Sequence, residues 1–178
     1  MGTSFGSLTS FNLSIKHQNL FSGIALISPF FRAKDTALYN FQWWAKSMHF
    51  LFPKFLIKHQ KKDMVEYYNK YSYIFDDPKI IKGEGRIHSA VMFKEMQDYA
   101  IKNYYKMRTP FLLVTVKDDN IVDNEASYDM FHKIYNPLNK HIELIGTDHL
   151  RFFVEYDEVK DVVLKTVDYF NFIVDKMN

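Results

Sequence analysis

Two short runs constrain this chain more than anything else in it. They are Ile24-Ala25-Leu26-Ile27, closed by Ser28-Pro29, and the stretch from Pro110 to Val116, "PFLLVTV". Neither alternates polar and apolar residues, and both are too short for a helix, so each reads as a strand covered on both faces. Strands of that kind belong to parallel sheets, which need helices on either side. His141 to Gly146, "HIELIG", is a third such run. Helical spacing fills the intervals. Phe5, Leu8, Phe11, Leu13 and Ile15 predict a helix from Phe5 to about His17, and Ala126, Met130 and Ile134 predict another. Val159, Val162, Val163, Val167, Phe170 and Val174 predict a long amphipathic helix at the end. Strand and helix alternate through the C-terminal half, which places the chain in the α/β class.

The stretch from Phe31 to Thr109 breaks that rhythm. It has no convincing buried strand and reads as an inserted helical region. Phe41, Trp44, Ala45, Met48, Phe52 and Phe55 stand at three- and four-residue steps, with Pro53 set to end or kink the helix. After a loop "KGEGR", a further helix is expected over Ser89 to Tyr105. The expected layout is one discontinuous domain: 1–30 and 110–178 form the core, and 31–109 the insertion.

With 178 residues, 47% of them hydrophobic, the chain can bury the core of one domain. Its 23 basic and 21 acidic residues give a net charge of +2, which lacks the basic footprint of a nucleic-acid binder. Cysteine is absent, so disulfides and thiolate metal sites are excluded. His17, His49, His59, His88, His132 and His141 show no metal-ligand spacing, and neither metal nor cofactor is expected. No apolar run reaches the length of a membrane span. An N-myristoylation signal would need Ser or Thr at position 6, which is Gly6. The expected location is the cytoplasm.

Gly2-Thr3-Ser4-Phe5-Gly6 fits G-x-S-x-G, the turn that exposes a nucleophilic serine between a strand and a helix. Only one residue precedes it, which leaves no room for the usual strand. Such a serine needs a base, and a carboxylate to orient that base. Asp118 and Asp119 follow directly on the strand ending at Val116, and His149 lies in the loop after the next strand. Both loops follow strand C-terminal ends, where ligand and catalytic groups gather in open α/β sheets. The chain order Ser4, Asp119, His149 is that of the α/β-hydrolase fold.

With these residues in view, the chain resembles the monoacylglycerol lipase and lysophospholipase branch of the α/β-hydrolases. The resembling segments are "GTSFGS", "ALISPFF", "PFLLVTVKDDNIVD", "ELIGTDHLRFF" and, in the insertion, "YSYIFDDPKIIKGEGR". The resemblance implies the C-terminal part of an α/β-hydrolase fold with an inserted helical cap. It also implies Ser4 as nucleophile, Asp119 as acid and His149 as base. Asp118 is the runner-up acid, since the D-x-[IV]-[VC]-D pattern opens at Asp119 and closes at Asp123. The backbone N–H of Phe5 is the implied oxyanion donor. Thr3 and Phe5 replace the usual His and Met, Ser7 replaces the second glycine, and Val116-Lys117 stands where the family has a Gly-rich start to the acid loop.

The family's complete domain has several strands before the nucleophile and a His-Gly-x-Gly loop that supplies a second oxyanion donor. Met1 is therefore expected to be an internal methionine of a longer hydrolase. The strand ending at Ser28 is then expected to form a bare sheet edge, with Ser4 on a fraying terminus. The implied substrate is a small-molecule lipid ester. The alternatives are an inactive fragment or interaction module, and a peptidase or thioesterase on the same fold. "FQWWAKSMHFLF", followed by the basic "KFLIKHQKK", suits peripheral membrane contact through the cap; packing against the protein's own body is the other reading. If the aromatic face meets lipid, replacing Trp43 and Trp44 by Ser will reduce co-sedimentation with anionic liposomes; unchanged binding would remove the interfacial role.

Overall fold

The structure is a computed structural model and describes residues 1–34, 42–58, 84–149 and 155–177. The chain divides into two compact units, Met1–Thr36 with Met96–Asn178, and Ala37–Glu95.

The first unit is built on a four-stranded parallel sheet. Its strands are β1 (Gly2–Thr3), β2 (Ile24–Ile27), β5 (Phe111–Val116) and β6 (Lys140–Leu144), lying side by side in that order. Gly2 pairs with Leu26, Ile24 with Phe111, and Leu112 with Lys140. Every residue of β2 and β5 is buried, as their unbroken apolar character requires. Pleating sends alternate residues to opposite faces. On one face Ile24, Leu26, Phe111 and Leu113 meet Leu8, Phe11 and Ile15 of helix α1 (Phe5–Lys16). Ala126 and Met130 of helix α4 (Asn124–Lys133) join the same cluster, as does Ala100 near the end of helix α3 (Ile87–Asn103). On the other face Ala25, Ile27, Leu112 and Val114 meet Val162, Tyr169 and Ile173 of helix α5 (Tyr156–Met177).

Two expectations are corrected here. A strand does precede Ser4, because two residues suffice when a neighbouring strand already offers its hydrogen-bonding edge. For the same reason β2 is not the sheet edge, since β1 lies outside it.

The second unit contains helix α2 (Gln42–Leu51), the antiparallel ribbon of β3 (Leu56–Lys58) and β4 (Glu84–Arg86), and α3 as far as Glu95. Helix α2 stops before Pro53, with the Phe52 N–H donating to the Met48 carbonyl at 2.7 Å. Ile87 and Val91 of α3 pack with Met48. The region is thus not purely helical: Glu84–Arg86, expected as loop, is a strand too short and too glycine-rich to carry a period-2 signal. His49 and His88 pair on the surface of this unit, with ring centroids 4.8 Å apart. Phe41, the basic stretch 59–62, the Asp-Pro segment up to residue 83 and residues 150–154 lie outside the described residues, as do the side chains of Trp43 and Trp44.

Behind the β5–β6 pair, buried Thr115 meets His141 Nε2 at 2.9 Å, and the His141 ring packs on Tyr128 and Phe131. His141 is exposed at one side, and partial desolvation of its ring lowers its pKa from the ordinary value, against an opposing pull from Glu143 and together with His132. The unfolded chain therefore takes up this proton first as pH falls. The stabilising contribution is present above about pH 6.5 and is lost below it. The melting-temperature gap between the wild type and His141→Gln should accordingly shrink from pH 8 to pH 5; a constant gap would contradict this.

Candidate active site

The β1–β2 pairing delivers Ser4 to its position. Its N–H donates to the Ile27 carbonyl at 2.8 Å, which extends the ladder by one bond, and the chain then turns abruptly into α1. The turn forces Ser4 to φ 49°, ψ −117°, in the positive-φ region that side chains other than glycine avoid. Such strain costs about 1–3 kcal/mol and survives only when the surroundings impose it. Here the Ser4 carbonyl accepts from the N–H groups of Ser7 at 3.1 Å and Phe30 at 3.2 Å. Ser4 is therefore held to β2 through its N–H and to α1 and the segment after β2 through its carbonyl, which corrects the expectation of a fraying terminus.

The glycines of the motif are not equivalent. A Cβ on Gly2 would lie 2.4 Å from the Gly6 carbonyl oxygen, so the backbone approach there demands glycine. A Cβ on Gly6 would meet nothing within 4 Å.

A serine at a helix N-cap ordinarily turns its hydroxyl onto the helix amides. Ser4 makes no such bond; its Oγ lies 3.0 Å from His149 Nε2. His149 is 3% exposed, and its Nδ1 lies 2.7 Å from Asp119 Oδ2, whose side chain is fully buried. An ionised carboxylate only accepts, so Nδ1 carries the imidazole proton and Nε2 is left to accept from the Ser4 hydroxyl. The histidine loop leaves β6 through Gly146 at φ 79°, and the Thr147 hydroxyl donates to Glu158 in the first turn of α5.

Asp119 divides its two oxygens. Oδ1 accepts from the backbone N–H groups of Ile121 at 2.9 Å and Val122 at 2.8 Å, which leaves Oδ2 facing the imidazole. Asp118 is exposed to solvent. The residues just after β2 strap this loop down. Ala33 bridges antiparallel to Val122, Lys34 Nζ donates to the Asp119 carbonyl at 2.8 Å, and Arg32 Nε donates to Asp123 at 2.6 Å. Sequence reasoning missed Arg32, Lys34 and Ser7. The first two lack any periodic signal, whereas Ser7 shares the buried helix face of Leu8, Phe11 and Ile15, where a polar residue stands out.

Across residues 1–149 the sequence matches the protein family described as Serine aminopeptidase, S33. The chain belongs to that family. No curated protein matches it by sequence. Among solved structures, this member of the serine aminopeptidase family is similar to a monoacylglycerol lipase from Paleococcus ferrophilus, at 17% identity and a TM-score of 0.74 over 94% of this chain and 65% of that one. It is also similar to a soluble variant of monoglyceride lipase from Saccharomyces cerevisiae, solved with a substrate analog, at 19% identity and a TM-score of 0.76 over 97% of this chain and 64% of that one. An α/β-hydrolase from a Penicillium species matches at 12% identity and a TM-score of 0.62, over 94% of this chain and 61% of that one. The fold is that of the α/β-hydrolases, and the chain spans less than two thirds of the length of these three proteins. Among the described residues no helix is long and apolar enough to cross a membrane, and no group of three or more His, Asp or Glu is arranged to hold a metal ion.

The unequal glycines give a direct test. Gly2→Ala should destabilise the fold by about 1–3 kcal/mol, because backbone rather than a flexible side chain must yield. Gly6→Ala should be neutral or stabilise by up to about 1 kcal/mol. Thermal or urea unfolding of the two variants checks both.

Proposed function

We propose that the chain carries the catalytic machinery of a serine ester hydrolase acting on lipid esters of the monoacylglycerol or lysophospholipid type, with Ser4 as nucleophile, His149 as base and Asp119 as acid. The observation behind this reading is the unbroken hydrogen-bonded run from Asp119 Oδ2 through both imidazole nitrogens to the Ser4 hydroxyl, at 2.7 and 3.0 Å, with the serine on a strained strand-to-helix turn.

In this scheme His149 Nε2 takes the Ser4 hydroxyl proton as Oγ bonds to the ester carbonyl carbon. The carbonyl oxygen becomes an oxyanion, with the Phe5 N–H, just after the nucleophile at the start of α1, as one donor to it. On collapse the bond to the alcohol breaks, and the alcohol leaves with the proton from Nε2. Water then gives a proton to Nε2 and attacks the acyl carbon; Ser4 departs with that proton, and the fatty acid is released. Asp119 stays ionised, holding the ring and stabilising the imidazolium. No cofactor enters the scheme.

The lipid assignment draws on the kinship of fold with monoacylglycerol lipases and on the exposed Phe50, Phe52 and Phe55. A peptidase or thioesterase would share the same three residues and differ in its pocket. A second reading is an inactive fragment or interaction module.

A fluorophosphonate probe, which bonds only to an activated serine, separates these readings. Labelling of the chain should be abolished by Ser4→Ala and slowed by at least about 10³-fold by His149→Ala. An unlabelled wild-type chain would favour the inactive reading. Turnover of monoacylglycerol together with inertness toward aminoacyl anilides should then exclude the peptidase.

A further inference from the structure

We propose that Ser7 is a positioning residue for Ser4, its buried hydroxyl fastening both arms of the strand-to-helix turn to β2. The inference rests on the reading of Ser4 as nucleophile. Ser7 is wholly excluded from solvent in the first turn of α1. Its Oγ accepts from the Ile27 N–H at 2.8 Å. Its single proton is shared between the Gly2 carbonyl at 2.6 Å and the Ile27 carbonyl at 3.0 Å. The Ile27 carbonyl also accepts the N–H of Ser4 at 2.8 Å. One hydroxyl thus contacts the chain entering the turn at Gly2, belongs to the chain leaving it, and touches the β2 residue to which Ser4 is hydrogen-bonded.

Other hydroxyls of α1 behave differently. Thr9 and Ser14 donate to carbonyls four residues back in their own helix, at 3.1 and 2.9 Å, which links nothing beyond α1. Ser14 is as fully buried as Ser7, so burial alone does not account for the Ser7 arrangement. β1 is only two residues long, so the backbone bonds that hold Ser4 at positive φ are few. Without the Ser7 hydroxyl, Gly2 and Ile27 would lose a shared buried partner at the point where the turn is held, and Ser4 Oγ would drift from His149 Nε2.

The test is the rate constant of fluorophosphonate labelling at saturating probe, measured on the full chain together with the final labelled fraction. Ser7→Ala should lower the rate constant by about 10- to 100-fold, as expected for a small displacement of a reacting group. The concentration for half-maximal rate should be unchanged, because Ser7 is wholly buried and does not meet the probe. Ser14→Ala should label at the wild-type rate. A wild-type rate constant in Ser7→Ala, or a lower labelled fraction with no change in rate, would overturn the proposal and leave Ser7 a merely structural residue. If Ser7→Ala yields no folded protein, Ser7→Cys decides, since it nearly preserves volume while its thiol is a weak donor and acceptor. It too should be slowed, and an unslowed rate would refute the role. A wild type that does not label at all overturns both this proposal and the assignment of Ser4; a labelled wild type with an unaffected Ser7→Ala overturns this one alone.

Discussion

The arrangement of this molecule depends on one backbone conformation, that of Ser4. A residue with a side chain is held at positive φ where a strand gives way to a helix, and the hydroxyl that would ordinarily cap the helix is directed to an imidazole instead. Strain of this sort relaxes unless neighbouring bonds forbid it. The restraints come from Ile27 of β2 and from Phe30 in the segment just after it, so a buried strand of four residues serves both as the centre of the core and as part of the mould of the turn.

The parallel sheet supplies the rest of the geometry. Because β1, β5 and β6 run the same way, the segments leaving their C-terminal ends emerge at one edge of the sheet, and residues 145 positions apart come within hydrogen-bonding distance. The two apolar clusters on the sheet faces keep those ends in register. The strap from Arg32 to Lys34 then ties the acid loop to the segment that follows β2.

Much of this was legible in the amino-acid sequence. Unbroken apolar runs identify β2 and β5 because residues buried on both faces leave no alternation to misread, and helical spacing locates α1, α4 and α5. The order Ser4, Asp119, His149 is also readable, since each residue follows a strand signal or a glycine motif. Three features were not, or only in part. A two-residue strand has no period to detect, and its existence depends on the partner at Leu26 and Ile27. The β3–β4 ribbon pairs residues more than twenty positions apart, with a glycine in the middle of one strand. The part played by Ser7 is only half legible: its place on the apolar face of α1 marks it as a buried polar residue, but its partners, Gly2 and Ile27, are set by the tertiary fold and not by its local sequence.

The Asp119 carboxylate has a consequence for how the acid loop can change over time. Its orientation is imposed by two peptide groups, at Ile121 and Val122, and every amino acid but one supplies that group in identical form. The aim of the carboxylate is therefore largely indifferent to which side chains decorate its own turn. Substitutions there can retune solubility or neighbouring contacts while the carboxylate keeps its bearing, and proline, which has no amide hydrogen to offer, is the single replacement that the turn itself rejects.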